Sequence, residues 1–258
     1  MTPPYMISFS GGRTSAMMTD ILLKELPSDQ TIVCFANTGK ENEATLEFVN
    51  QCNTMWGGQI VMLEYITEKP GFVVKDFNSL SRSGEPFEAL IRNKKHLPDP
   101  CRRFCTTELK IIPIKKFMLS IGYKEWTNVV GIRHDEQRRI NKLKTYDEKE
   151  RWENWAPLDE MRVTKADVLS YWKNMPFDLQ LKDHEGNCDL CFLKGASKIK
   201  QILREYPEKA DWWAKMESET NATFRKDRPK YKDLLNLVNT QPQLFDFDDG
   251  IECTCNID

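Results

Sequence analysis

The sequence predicts an α/β fold: an open, mostly parallel sheet with helices on both faces, followed by a helical C-terminal region. Three observations carry this. Short apolar runs recur, and each is followed by a turn and then a helix-period pattern. The 258 residues are 40% hydrophobic and 29% charged, enough to bury a full core. No apolar run reaches membrane length. Strand, turn and helix in repeated order build a parallel sheet, because parallel neighbours need a crossover long enough to hold a helix.

Residues 5–9 (YMISF) read as a short buried strand, and 13–25 carry a helix pattern that stops at Pro27. TIVCFA (31–36) is the second strand, and the turn NTGKE leads into a helix over 42–55. GQIVMLEY (58–65) is the third strand. From 66 to 100 the pattern fades into Gly, Pro, Ser and charge, after which a helix runs from 106 to 121 despite Pro113. NVVGIR (128–133) is the fourth strand, and the highly charged segment 134–155 reads as a mobile loop. A helix starts near Thr164, which serves as its N-cap, and another follows Cys191. The rest is helical and aromatic, with Trp212 and Trp213 as packing residues, and ends in FDFDDGIECTCNID. This organisation places an α/β domain with the cysteines of its middle region at 1–205 and a helical region with a cysteine-bearing tail at 206–258.

Lys and Arg number 37 against 39 Asp and Glu, which excludes a general polyanion-binding surface, so any nucleic-acid contact is local. No basic segment precedes an apolar one at the N-terminus, and the expectation is a soluble, cytoplasmic protein with no membrane partner. A homo-oligomer is allowed.

The turn SGGRTS (10–15) between the first strand and its helix carries the first functional signal. Gly11 and Gly12 let the backbone approach an anion, the new helix aims its free N–H groups at it, and Ser10, Thr14 and Ser15 add hydroxyls while Arg13 adds charge. The same residues also satisfy a plain tight turn into a helix. Arg133, Arg138, Arg139, Lys142 and Lys144 concentrate positive charge beyond the fourth strand, where guanidinium forks suit sulfate or phosphate. Arg133 lies next to the strand end.

Of eight cysteines, Cys34 and Cys52 sit in apolar or helical runs and read as packing. The other six form three close pairs. Cys101 with Cys105 and Cys188 with Cys191, at C-x₃-C and C-x₂-C, suit a tetrahedral metal site or a [4Fe-4S] cluster, and spacing does not choose between zinc and iron–sulfur. Arg102, Arg103 and Lys110 flank the first pair, where they favour thiolate or meet substrate. The third pair, Cys253 and Cys255, lies in the tail; idle surface thiols are one reading and a nucleophile with a resolving thiol is the other. His96, His134 and His184 are isolated and stand in no ligand motif.

SGGRTS resembles the SGGxxS loop of the PP-loop nucleotide-binding superfamily, of adenine nucleotide alpha hydrolase-like fold, with Thr14 where ATP-cleaving members usually carry Asp. NTGKENEATLEF (37–48), CTTELKIIPI (105–114), GIRHDEQRR (131–139) and WAPLDEMRVTKADVLSYW (155–172) resemble, in order, segments of phosphoadenosine phosphosulfate (PAPS) reductase-like proteins. The resemblance implies an enzyme that binds an adenine nucleotide through Ser10 to Ser15, Asn37, Gly39, Lys110, Arg133 and Arg138, with Cys101, Cys105, Cys188 and Cys191 holding a [4Fe-4S] cluster, zinc being the alternative. The adjacent Cys-Cys of the cluster-bearing reductases is replaced here by Cys101 and Cys105. It further implies that Cys253 attacks the sulfur of an adenylyl sulfonucleotide, with Cys255 as resolving thiol and a thioredoxin-like reductant as partner. Glu252 and Cys253 match the reductase tail, which continues with a Gly and a His that this chain lacks. The alternative is an ATP-dependent sulfurtransferase that adenylates and thiolates tRNA or DNA. A second alternative is a nucleotide-binding module with structural zinc and no turnover.

Overall fold

The computed structural model describes residues 4–144 and 150–240. Strands β1 (Tyr5–Ser8), β2 (Thr31–Asn37), β3 (Ile60–Glu64), β4 (Val73–Lys75), β5 (Trp126–Val130) and β6 (Trp152–Trp155) form one sheet in the order β4-β3-β2-β1-β5-β6. Every neighbouring pair is parallel except β3 with β4, which closes one edge antiparallel. The helices are α1 (Arg13–Glu25), α2 (Glu43–Met55), α3 (Glu85–Lys94), α4 (Phe104–Thr106), α5 (Ile112–Ser120), α6 (Gln137–Lys144), α7 (Pro157–Glu160), α8 (Lys165–Lys173), α9 (Ala196–Glu205), α10 (Ala210–Thr220) and α11 (Tyr231–Thr240).

Alternation along the central strands fills both faces, as a period of two requires. Ile7, Val33 and Phe35 pack with Met18, Leu22, Leu46, Val49, Val168 and Trp172 of α1, α2 and α8. On the other face Met6, Cys34 and Leu63 meet Ile114 and Met118 of α5 together with Phe72 and Trp126. A third apolar cluster joins α3, the stretch Leu190–Leu193 and helices α9, α10 and α11 around Trp213, Phe224 and Tyr231. Burial pushes the Cys34 and Cys52 thiols up, so both stay protonated packing groups.

The four strands read from sequence are β1, β2, β3 and β5. The charged segment 134–155 is not a loop throughout: it contains α6, anchored by buried Ile140, and edge strand β6. Strand β6 (WENW) is half-buried at an edge, so it shows neither an apolar run nor a clean alternation. The helix read over 106–121 is broken by a π-helical stretch, Thr107–Ile111, ahead of Pro113. Proline has no N–H and its ring crowds the carbonyl four residues back, so the turn before it widens. No helix is long and apolar enough to cross a membrane.

Candidate functional site

The chain runs from β1 to β2 and β3 on one side of the sheet and later to β5 and β6 on the other, so strand order reverses between β1 and β5. In an open parallel sheet the crevice beyond the strand ends at such a point takes ligands. The segments that leave it are 9–12 from β1 and 131–133 from β5, with Ser8 opposite Val130 in register.

Gly11 has φ +80°, and a Cβ there would meet Thr45 Cγ2 at 2.9 Å and Phe35 at 3.2 Å, so the bend requires glycine. Gly12 is the N-cap of α1 and supplies no side-chain cap, which leaves the first-turn N–H groups for an anion. Ser10 and Ser15 bond to each other through their hydroxyls at 2.8 Å, and the Ser10 N–H donates to Ser15 Oγ at 3.1 Å. Gly131 closes the crevice from the β5 side: a Cβ would stand 2.9 Å from Ser15 Cα. Gly131→Ala therefore pushes the first turn of α1 away from β5. We expect adenine nucleotide affinity to fall about tenfold or more, since overpacking against backbone costs about 1–3 kcal/mol. Titration calorimetry with AMP checks this, and an unchanged affinity would show that the close approach is dispensable.

Arg133 is buried, with 5% of its surface exposed, and its Nη1 donates to Thr14 Oγ1 at 3.3 Å. Its Nε donates to Asp135 at 2.9 Å, and Glu136 lies 3.9 Å from Nη1. Partial burial pushes the Asp135 carboxyl up, but hydrogen bonds from Arg133 and the Lys165 amide outweigh this and hold it below its ordinary value. Arg138 is exposed on α6.

Three predicted ligands have other work. Arg13 points away from the loop and forks onto Asp178, Nε at 2.6 Å and Nη2 at 3.0 Å, with Nη2 also on the Leu179 carbonyl at 2.5 Å. Its charge clamps α1 to the chain beyond α8. Asn37 is fully buried and used up as a brace: Nδ2 donates to Glu64 at 2.6 Å and to the Ser81 carbonyl at 2.9 Å, and Oδ1 accepts the Gly39 N–H at 3.0 Å. The Gly39 amide is spent inside that turn.

Lys110 reaches Glu41 at 3.2 Å, and Glu41, whose side chain is wholly buried, also accepts from the Thr38 N–H and hydroxyl. Residues 40–42 in turn pair with 187–189: the Asn42 N–H donates to the Asn187 carbonyl at 2.7 Å, the Asp189 N–H donates to the Lys40 carbonyl at 2.8 Å, and Glu41 bridges Cys188. Asn187 Nδ2 donates to the Ser10 carbonyl at 3.0 Å. Glu41 thus links the helix that follows Cys105 to the segment that carries Cys188, and Asn187 links that segment to the glycine loop.

Cys191 is buried in the third apolar cluster, Cys105 and Cys188 pack against it, and Cys101 is exposed on the preceding loop, where its N–H donates to Asp99. The soft sulfur donors suit iron or zinc. Among the described residues no group of three or more His, Cys, Asp or Glu side chains is placed to hold a metal ion. Cys253 and Cys255 lie outside the described residues.

The family model for the phosphoadenosine phosphosulfate reductase domain matches residues 4–180. The chain belongs to the PAPS reductase domain family. It is 30% identical over 203 residues to an uncharacterized nin region protein of Escherichia phage lambda, covering 75% of this chain and 67% of that protein. It is 26% identical over 219 residues to an uncharacterized protein of Methanocaldococcus jannaschii, covering 81% of this chain but 40% of that longer relative. Among solved structures, a PAPS reductase from Candida auris in a phosphate complex aligns at TM-score 0.43 and 14% identity, over 69% of this chain and 76% of that one. A U34-tRNA thiolase from Methanococcus maripaludis with its [4Fe-4S] cluster aligns at TM-score 0.41 and 14% identity, over 99% and 80%.

Residues of this candidate site that the sequence alone did not single out are Gly131, Glu41, Asn42 and Asn187. Gly131 and Glu41 lie inside stretches already singled out, GIRHDEQRR and NTGKE, but their partners are far along the chain. A 360 Å³ cleft lined by Asp20, Lys24, Trp56, Gln59 and Met175 lies apart from the residues of this loop.

Proposed function

We propose that the chain is a sulfonucleotide reductase-like enzyme that acts on an adenylyl sulfonucleotide. One observation carries the reading: an uncapped glycine loop at the strand-reversal point is flanked by buried Arg133 and tied by Asn187 to the segment of the second cysteine pair. The amides of residues 11–15 and the Ser10 hydroxyl receive the anionic end, and Arg133 neutralises it. Lys110 and Arg138 extend the positive charge, and Ser15 and Thr14 orient the loop rather than the ligand.

The reaction needs a thiolate on sulfur. Cys253 attacks the sulfuryl sulfur, the sulfur–oxygen bond to the phosphate breaks, and AMP or its 3′-phosphate leaves with the electron pair. Cys255, or an external thiol, then attacks the Cys253 sulfur to form a disulfide and release sulfite, and a thioredoxin-like dithiol reduces that disulfide. Cys101, Cys105, Cys188 and Cys191 are the residues that would hold a [4Fe-4S] cluster, or zinc in its place. When bound, such a cluster supplies an electron-poor iron centre for sulfur chemistry.

The exposure of Arg138 on α6 favours, as a second reading, a larger anionic partner, with ATP used to adenylate tRNA or DNA before thiolation. Incubation of the anaerobic protein with PAPS or adenosine phosphosulfate and a dithiol should release sulfite, whereas ATP with tRNA or DNA should yield AMP and pyrophosphate under the second reading. Cys253→Ser is expected to bind nucleotide and release no sulfite. Full sulfite release by that variant would remove Cys253 as the nucleophile.

A further inference from the structure

Asn187 carries more than a tether. Its Nδ2 meets the Ser10 carbonyl at 3.0 Å, while its Oδ1 is buried with no hydrogen-bond partner among the described residues. A carbonyl only accepts, so the amide nitrogen must face the loop, and the orphaned oxygen is the consequence. A buried acceptor without a donor weakens a fold, which leaves the donor half as the reason for an asparagine here.

The Ser10 carbonyl belongs to the same planar peptide unit as the Gly11 N–H, and in a trans peptide the two point in opposite directions. Holding the carbonyl therefore aims the first loop amide at the crevice. An anion on that N–H polarises the peptide and strengthens the bond that its carbonyl accepts from Asn187. Asn187 cannot shift alone, because the Asn42 N–H holds its own carbonyl at 2.7 Å and the next residue, Cys188, bridges Glu41.

We propose that Asn187 is the positioning residue that couples occupancy of the 10–15 loop by a nucleotide phosphate to the reactivity of the Cys188 thiol. This rests on the reading of the loop as an anion site given above. The coupling is reciprocal: whatever binds Cys188 also tunes nucleotide affinity.

The test uses the full chain under anaerobic conditions with AMP as the probe. Iodoacetamide labelling of Cys188 is timed by peptide mass spectrometry with and without saturating AMP; where Cys188 is metal-bound as purified, metal release to a chelator is timed instead. AMP is expected to change the rate by about fivefold or more in the unsubstituted chain, the scale of a typical coupling. In Asn187→Ala the ratio is expected to fall to about one at saturating AMP, with no loss of thermal stability, since the substitution also removes the orphaned acceptor. Asn187→Leu, which keeps the bulk, should behave alike. Retention of the full ratio in both variants would overturn the proposal, since AMP would then be shielding Cys188 by contact alone. If calorimetry shows that AMP does not bind the unsubstituted chain, the reading of the loop fails and the inference fails with it.

Discussion

Arg133→Ala is expected to weaken AMP and PAPS binding by about 30-fold or more. Arg133 is 5% exposed, and its guanidinium stands between Thr14 on α1 and the carboxylates of Asp135 and Glu136, so its charge acts in a site that excludes most water. Truncating one member of a buried, hydrogen-bonded charge group costs about 2–5 kcal/mol, and the lower figure is about a 30-fold change. The loss is compounded in this chain because removing Arg133 leaves the Asp135 carboxylate without the guanidinium it pairs with. Arg133→Lys keeps the charge but not the fork, and should recover only part of the affinity. Titration calorimetry at two salt concentrations separates the effects, and an affinity within threefold of the unsubstituted chain would place the anion elsewhere.

Asp189→Ala should be the most destabilising single change at the site, by about 3–5 kcal/mol. Lys40 and Asp189 pair at 2.7 Å with side chains 8% and 10% exposed, and Asp189 also accepts from Trp213 Nε1 at 3.0 Å. Lys40 further lies over the Trp212 ring at 5.2 Å. Taking away the carboxylate leaves a buried ammonium with no counter-charge, the costly way to break such a pair. For a chain of this size each kcal/mol moves the thermal midpoint by about 2–4 °C, so a fall of about 6–20 °C is expected by circular dichroism. Lys40→Met with Asp189→Leu removes both charges and should restore most of the loss. A fall of less than about 1 kcal/mol would mean that water screens the pair.

The strands that cross the middle of the sheet were legible because they are buried on both faces: YMIS and TIVCFAN are short apolar runs bounded by turns. Edge strands β4 and β6 were not, since three residues of VVK and the half-buried WENW carry too little pattern. The glycine loop was legible for a similar local reason, as Gly11, Gly12 and their hydroxyl neighbours lie within six residues that open a helix. Asn37 misled because an asparagine after a strand looks the same whether it awaits a ligand or braces a turn, and only Glu64 and Ser81 decide.

By itself the sequence determined the class of the fold, the place of the first strand-to-helix turn and the chemical groups available around it, because periodicity and turn chemistry act over a few residues. Tertiary structure alone decided which of those groups are free to meet a ligand. Arg13 is taken by Asp178, the Ser10 carbonyl by Asn187 and the Thr14 hydroxyl by Arg133, partners separated by more than a hundred positions in the chain. Hydrogen-bonding capacity is finite and is claimed by whichever partner folding brings near, and no local pattern records that choice.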